Sequence, residues 1–394
     1  MRLFDEAKAG RLMEEAGIDL MLASTRPNVG YLSDYWHSVS DEFYVLWDPS
    51  VTHMTLAGIL KSGNGAAFLV AGASEMTTLE AADPWIKERH YWGPGYYIQT
   101  WTEPSPDPGN PMETAARVIR EKGLAASCIG LEMRYLGVNY FERLRSLLPQ
   151  ASFVDVEPLL WKLRMVKSAE EIRRVREACL RTCQVWRTVM DGAVAGMTEK
   201  EMEREFISVF AEHEMDNERS YCIFGPAGVQ LKNGSPLPSD RPLREGQFIR
   251  VDIQGRYEGY LCNLSRVVAF GKVTPAMERA HTIVREMVEN LIPLLKPGVR
   301  CRDIRAAELA MYEGTDYRPV IPYTGHSVGR VVHEPPYLTS FDETVLEPGM
   351  VVTLEPTVQF TGDGDIFVCP EDQFLITDEG SEWLTAQAST QLNL

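Results

Sequence analysis

The chain has 394 residues, 44% of them hydrophobic and 24% charged, with a formal net charge of −17 at pH 7. This length and composition predict a globular protein with a sizeable core and two domains. Because nucleic-acid backbones and anionic membranes repel an acidic chain at long range, we expect neither as a partner.

The cysteines and the N-terminus indicate the compartment. Seven cysteines are scattered without a CxxC pair, which predicts reduced thiols. The N-terminal segment is charged and amphipathic, unlike a signal peptide, and the chain lacks an apolar run of roughly 18 to 20 residues that could span a bilayer. These features predict a cytoplasmic protein.

The N-terminal part alternates helical and strand-like segments. Helices are expected at 3–16 and 112–122, and strands at 19–24, 66–71 and 127–132. This alternation predicts a small α/β domain.

The C-terminal part begins with helices marked by capping residues. Ser168 and Thr198 each stand three positions before a glutamate, which is the pattern of a capping box, and Thr274-Pro275 predicts another helix start. Strand-like stretches follow, so helices packed on a largely antiparallel sheet are expected. The predicted fold class is α+β, with domains at 1–160 and 161–394.

Residues 247–270 form a predicted hairpin around the sequence GRYEG. Centring the turn between Tyr257 and Glu258 places Asp252 directly opposite Asn263. Opposite residues on one strand face are close enough to share a cation or a substrate.

Residues 350–377 form a second predicted hairpin, whose turn is centred on Asp363. This register places Glu355 opposite Glu371. A carboxylate in an apolar strand costs free energy unless a cation or hydrogen bonds compensate it. Any one of these residues alone could face solvent, but two hairpins that each carry such a pair favour a functional site.

His326 and His333 share a glycine-marked loop just before the second hairpin. A lone histidine is more often a structural hydrogen-bonding residue than a ligand. The flanking Gly325 and Gly329, however, allow a close backbone approach, which favours both histidines as site residues.

Five ordered motifs resemble those of the pita-bread family of prolidases, aminopeptidases P and creatinases, and the resemblance covers essentially the whole chain. The motifs are LRMVKSAEEI, VDIQGRYEGYLCNLSR, GHSVGRVVHEPP, LEPGMVVTLEP and EDQFLIT. The resemblance implies a C-terminal pita-bread catalytic domain and a creatinase/prolidase-like N-terminal domain. It also implies that a metal-activated water hydrolyses the bond before a proline.

The resemblance to the metallopeptidase branch implies divalent cations (manganese, cobalt or zinc) and assigns site residues. The implied metal ligands are Asp252, Asn263, His326, Glu355 and Glu371. The implied catalytic residues are Glu355, as acid and base, with His326 and His333. The implied substrate-binding residues are His333 and His37, the latter within a homodimer whose N-terminal domains close over the partner's cleft; the alternative is that His37 packs within the small domain. Lys232 is a further substrate-binding candidate, from its position where the family commonly has a histidine.

The chain departs from the metallopeptidase pattern in three places. Asn263 replaces a carboxylate ligand, and an amide offers only one neutral oxygen. The segment FGPAGVQLKNGSPLPSDR lacks the expected histidine, and Lys232 is among its nearest polar candidates. Cys369 and Pro370 stand where peptidases tend to have an arginine and an aliphatic residue.

Three functions therefore stay open. The first is an Xaa-Pro peptidase-like hydrolase with one tightly held or two weakly held cations. The second is a creatinase-like hydrolase or lyase that acts on a small non-peptide substrate with one metal or none. The third is a non-catalytic binding protein, which the desolvation cost of the retained acidic residues disfavours.

Overall fold

The computed structural model describes residues 1–36, 54–61, 66–93, 109–225, 237–360 and 367–388. The chain divides into two compact units, Met1–Arg164 and Met165–Leu394. The domain boundary after residue 160 stays a prediction. Among the described residues, no helix has the length and apolar character needed to cross a membrane.

The first unit is built on one six-stranded mixed sheet. Its strands are β1 (Leu20–Ala23), β2 (Leu56–Leu60), β3 (Ala67–Gly72), β4 (Arg89–Trp92), β5 (Cys128–Leu131) and β6 (Ser152–Asp155). Their order is β4-β3-β2-β1-β5-β6, in which β2 is antiparallel to both neighbours and the other pairs are parallel.

The helices of the first unit complete the predicted alternation. They are α1 (Glu6–Ala16), α2 (Arg26–Ser33), α3 (Met76–Ala82), α4 (Pro111–Glu121), α5 (Val138–Leu147) and α6 (Glu157–Met165), the last ending at the unit boundary. In α4, Met112, Ala115 and Ile119 recur at helical spacing and join a core with Phe68 and Val70 of β3. The predicted helices and strands are confirmed, with ends displaced by at most three residues.

Four α-helices are described in the second unit after the boundary, and three of them begin at a residue whose side chain caps the helix. The four helices are α7 (Ala169–Asp191), α8 (Glu199–Glu212), α9 (Pro275–Leu291) and α10 (Cys301–Ala310). Both predicted capping boxes are present at Ser168 and Thr198, and the Thr274 side chain accepts a hydrogen bond from the Met277 amide. Cys179 of α7 is buried, as expected of a small hydrophobic residue.

The strands of the second unit form three sheets, in which every described pairing of strands is antiparallel, as predicted. The first sheet contains β7 (Asp216–Gly225), β8 (Gln247–Tyr257) and β9 (Tyr260–Phe270). The second contains β11 (His326–Ser327), β12 (Glu334–Tyr337), β13 (Val351–Leu354), β16 (Asp372–Ile376) and β17 (Ser381–Trp383). The third contains β10 (Tyr317–Arg318), β14 (Val358–Phe360) and β15 (Phe367–Val368).

The first hairpin, β8–β9, has a register that differs from the predicted one. Asp252 lies opposite Ser265, and Asn263 lies opposite Gln254. The predicted pairing of Asp252 with Asn263 is therefore wrong. Because the shift amounts to two residues, Asp252 and Asn263 still share one face of the sheet, as diagonal neighbours.

The turn explains this difference. Tyr257 pairs with Tyr260, so the turn residues are Glu258 and Gly259, with φ of 46° and 82°. Two positive φ values are typical of a type I′ turn, which favours asparagine, aspartate or glycine. Glu258 is none of these, so the sequence did not mark the turn position.

The second hairpin, β13–β16, has the predicted register. Leu354 pairs with Asp372, and the same register continues beyond the site, where Val358 pairs with Val368. Extending it by one residue sets Glu355 opposite Glu371, just past the ends of both strands. The predicted turn at Asp363 lies outside the described residues.

Candidate metal centre

His326, Glu355 and Glu371 form the centre of the site. Nε2 of His326 lies 3.2 Å from Oε1 of Glu371 and 4.0 Å from Oε2 of Glu355. One potential ligand atom from each residue lies within 4.8 Å of the others, and all three residues are buried. The end of β13, the start of β16 and β11 thus bring three polar side chains together.

The hydrogen bond of His326 defines which ring nitrogen faces the carboxylates. Nδ1 lies 3.1 Å from the carbonyl oxygen of Ser327, which can only accept, so Nδ1 carries the proton. Burial lowers the pKa of His326, which favours the neutral ring. Nε2 therefore presents a lone pair and makes no hydrogen bond of its own. A lone pair facing an ionised carboxylate oxygen is repulsive unless a cation or a proton lies between them.

Two glycines allow His326 to reach this position. A Cβ at Gly325 would overlap the carbonyl oxygen of Thr353, and a Cβ at Gly329 would overlap the Glu334 carboxylate. The Thr353 hydroxyl also accepts a hydrogen bond of 3.2 Å from the His326 amide. The close backbone approach expected at these glycines is confirmed.

Asn263 contacts the centre through its amide. Its Nδ2 donates to Oε1 of Glu371 at 2.7 Å, and its backbone amide donates to the Gln373 side chain at 3.0 Å. Oδ1 of Asn263 is buried without a hydrogen-bond partner. A buried carbonyl oxygen of this kind is suited to a cation.

Asp252 is not one of the three residues whose ligand atoms cluster within 4.8 Å, but its charge adds to the rise in the pKa of both Glu355 and Glu371. Its Oδ2 is 3.5 Å from Nη2 of Arg250, two residues earlier on β8, and its Oδ1 is buried without a hydrogen bond. Burial raises the pKa of Asp252, while Arg250 and Arg219 act against that rise. The nearest basic group of Asp252 is therefore supplied by its own strand.

The two glutamates have only weak neutralising contacts. Burial raises the pKa of both Glu355 and Glu371, and the charge of Glu371 adds to the rise at Glu355. The thiol of Cys369 donates to Oε1 of Glu355 at 3.3 Å. Burial also raises the pKa of Cys369, so the thiol is neutral.

His333 stacks on His326 at the edge of the centre. The two ring centroids are 3.8 Å apart, and the Tyr323 ring stands edge-on to both, at 5.8 and 5.9 Å. Lost hydration, with a smaller contribution from His326, lowers the pKa of His333 to about 4. His333 is therefore neutral at pH 7 and can donate or accept a hydrogen bond.

Two predicted substrate-binding residues, His37 and Lys232, lie outside the described residues. Sequence reasoning did not single out Arg250 and Tyr323, which the structure places beside the site. Arg250 could have been recognised from the pattern, because it stands two positions before Asp252 in an apolar strand and so shares its face.

The donor set fits a divalent cation. One imidazole nitrogen and carboxylate or amide oxygens are ligands that manganese, cobalt and zinc accept. The atoms that would point at such an ion include the buried Nε2 of His326 and Oδ1 of Asn263, which make no hydrogen bond. These buried atoms are therefore better placed to coordinate a cation than to form hydrogen bonds with one another.

Comparisons with known proteins agree with this chemistry. Residues 173–378 match the model of metallopeptidase family M24, and residues 7–166 match that of the creatinase/prolidase N-terminal domain. The uncharacterized peptidase YqhT of Bacillus subtilis is 24% identical over 379 residues, which are 96% of each chain.

Solved structures share the fold over nearly the whole chain. An Xaa-Pro dipeptidase from Bacillus anthracis has a TM-score of 0.78 at 22% identity, covering 98% of this chain and 99% of that one. The N-terminal domain of the FACT complex subunit SPT16 from Cicer arietinum (chickpea) has a TM-score of 0.70 at 16% identity, covering 98% and 96%. The fold is thus shared with a protein that is not named as a peptidase.

The M24 model alone spans more than half of the chain, which confirms the predicted family and fold. The chain belongs to metallopeptidase family M24, a family of hydrolases, and carries the creatinase/prolidase N-terminal domain.

Proposed function

We propose that this protein is an Xaa-Pro peptidase-like hydrolase whose site uses a divalent cation and carries Asn263 where the family pattern has a carboxylate. The observation that carries the proposal is the unprotonated Nε2 of His326, 3.2 Å from a carboxylate oxygen of Glu371 in a buried centre. A cation resolves this repulsion, and the family membership makes peptides the first substrates to test.

In this proposal, different residues bind the cation, transfer the proton and border the substrate. His326, Glu355 and Glu371 hold the cation, together with Oδ1 of Asn263. A bound cation would supply Lewis-acid chemistry that activates a water and polarises the scissile carbonyl. Glu355 is placed to accept a proton from the activated water and to return it to the leaving group. His333 and Tyr323 border the space beside His326, where a substrate could be positioned.

The test combines ion content with activity. Purified protein is analysed by mass spectrometry for bound metal and then assayed on a panel of Xaa-Pro dipeptides and tripeptides with added manganese, cobalt or zinc. Matched Xaa-Ala peptides are the control for proline selectivity. We expect cation-dependent cleavage of the Xaa-Pro set. A protein that binds no added cation and cleaves none of these peptides would contradict the proposal.

A creatinase-like reaction on a small non-peptide substrate is the second candidate. The neutral amide of Asn263, which carries no negative charge towards a second cation, favours it. Creatine, assayed with and without a chelator, serves as the probe. Chelator-resistant turnover of creatine by a protein that ignores Xaa-Pro peptides would favour this second function.

We also propose a homodimer and the domain division at residues 160 and 161. Light scattering on the purified chain would give the mass in solution, which we expect to be twice 44.4 kDa. Limited proteolysis would locate the division, and a stable fragment that begins near residue 161 is the expected result.

A further inference from the structure

We propose that Arg250 supplies, from within the protein, the positive charge that a second cation would bring, so that the site holds a single divalent cation at His326, Glu355 and Glu371. The inference rests on the proposed function only in assuming that a cation is used. It gives Arg250 a role that determines the number of bound ions.

The position of Arg250 supports this role. Alternation along β8 puts Arg250 and Asp252 on the same face, and Arg250 is only 4% exposed. Its guanidinium lies 3.5 Å from the Asp252 carboxylate, and its charge is also felt at Cys369, which contacts Glu355. A buried cationic side chain thus lies among the acidic groups of the site.

The charges of the site balance with one ion. Among the buried groups, Asp252, Glu355 and Glu371 contribute three negative charges when ionised, Asn263 contributes none, and Arg250 contributes one positive charge. Arg219 also acts on Asp252, but it is exposed and its charge is screened by solvent. One divalent cation brings the total to zero, whereas two would leave two excess positive charges. An uncompensated buried charge is strongly unfavourable, so the single-ion site is the stable one.

The distances also distinguish the three clustered ligand residues from Asp252. His326, Glu355 and Glu371 converge within 4.8 Å, and the amide of Asn263 contacts Glu371. Asp252 is not part of that cluster; its charge is felt at Glu355 and Glu371, and its carboxylate lies 3.5 Å from Arg250. A second ion at Asp252 would lie beside the guanidinium and be repelled by it.

The experiment measures ion binding directly. Manganese is titrated into metal-free protein by calorimetry, and bound metal is counted by mass spectrometry after dialysis. We expect one ion per chain in the wild type and in Arg250→Lys. Asn263→Asp is expected to strengthen binding of a second ion. In the double variant Asn263→Asp/Arg250→Met, the Kd of that second ion should be at least tenfold lower than in Asn263→Asp alone. The matched control is Asn263→Asp with Arg250→Lys, which keeps the positive charge and should match Asn263→Asp alone.

Two results would overturn the inference: two tightly held ions in the wild type, or equal second-ion affinity in the Met and Lys double variants. If Arg250→Met does not fold, Arg250→Gln in the Asn263→Asp background makes the same comparison. A wild type that binds one ion but cleaves no Xaa-Pro peptide would contradict the proposed function and leave this inference in place. A wild type that binds no ion would overturn both.

Discussion

The two hairpins that meet at the site balance their buried charge in different ways. In β8–β9, Asp252 has Arg250 on its own strand face, and Asn263 adds no charge. This hairpin therefore carries its own counter-charge. Arg250 offsets the charge of Asp252 at Oδ2, while Oδ1 of Asp252 is buried without a hydrogen bond.

The β13–β16 hairpin lacks this internal compensation. Glu355 and Glu371 are near each other, and the polar groups that contact them include a neutral thiol at Cys369, an amide at Asn263, a hydroxyl at Thr353 and a neutral imidazole at His326. None of these groups offsets a negative charge fully. Under the proposed function, we expect the need for an external cation to lie mainly in the second hairpin.

The largest expected effect is that of Glu371→Gln. Removing this charge should abolish retention of the cation and lower kcat/KM by about 10³-fold, which corresponds to roughly 4 kcal/mol. Asp252→Asn is the matched change in the first hairpin and should keep the ion. Metal content after dialysis and steady-state kinetics check both variants. If Glu371→Gln and Asp252→Asn lose the ion equally, the two hairpins contribute equally to cation binding and the prediction is wrong.

The second prediction concerns the contact that joins the hairpins on the face away from the site. Arg266 of β9 pairs with Asp372 of β16 at 2.6 Å, with side chains 4% and 3% exposed. Arg266→Met should reduce the free energy of unfolding by about 3–5 kcal/mol, because it leaves Asp372 buried without its cation.

Urea unfolding measures this change. The exposed pair of Arg176 and Glu382, 49% and 43% exposed, is the control, and Arg176→Met should cost less than about 1 kcal/mol. If Arg266→Met lowers the free energy of unfolding as little as Arg176→Met does, the stability of the hairpins does not depend on the buried pair.

The third prediction is that chelation destabilises the protein through the second hairpin. At a cation concentration of about 100 times Kd, binding contributes roughly 2.7 kcal/mol to stability. For a unit of this size, removal of the ion should lower Tm by about 5–10 °C. Scanning calorimetry with and without a chelator gives the shift. Glu371→Gln should show no such response, and a response equal to that of the wild type would place the ion elsewhere.

The smallest expected effect is that of Cys369→Ala. The thiol donates one hydrogen bond to Glu355, so its loss should change kcat/KM by less than about tenfold. Because burial raises the pKa of this acid, the thiol stays protonated at pH 8, and iodoacetamide should not inactivate the native enzyme. A fall in activity of more than about 10²-fold would instead show that the sulfur takes part in the reaction.

The sequence was most informative where strong local signals coincide with the fold. The capping residues Ser168, Thr198 and Thr274 mark helix starts that the structure confirms, because each side chain satisfies a free amide at the first turn. The register that sets Glu355 opposite Glu371 was also predictable, since the glycine-flanked Asp363 predicts a turn in the sequence between the two strands.

The sequence was less informative where conformation or charge depends on neighbours distant along the chain. Glu258 adopts a left-handed conformation that its side chain does not favour, so the β8–β9 turn was placed one residue too early. The closeness of Arg250 to Cys369 depends on how β8 faces the segment before β16, which no local pattern encodes. The family resemblance supplied the ligand set, while the division of that set between two hairpins needed the structure.

The backbone bridge between Ser265 and Glu371 makes this kind of site open to change over evolutionary time. The amide of each residue donates to the carbonyl of the other, at 3.2 and 3.0 Å, so the alignment of β9 with the segment leading into β16 is independent of the side chain at position 263. A lineage could therefore exchange a carboxylate for an amide there by a single substitution, with the scaffold unchanged. Each such substitution would change the number of ions that the site requires, while the backbone stays the same.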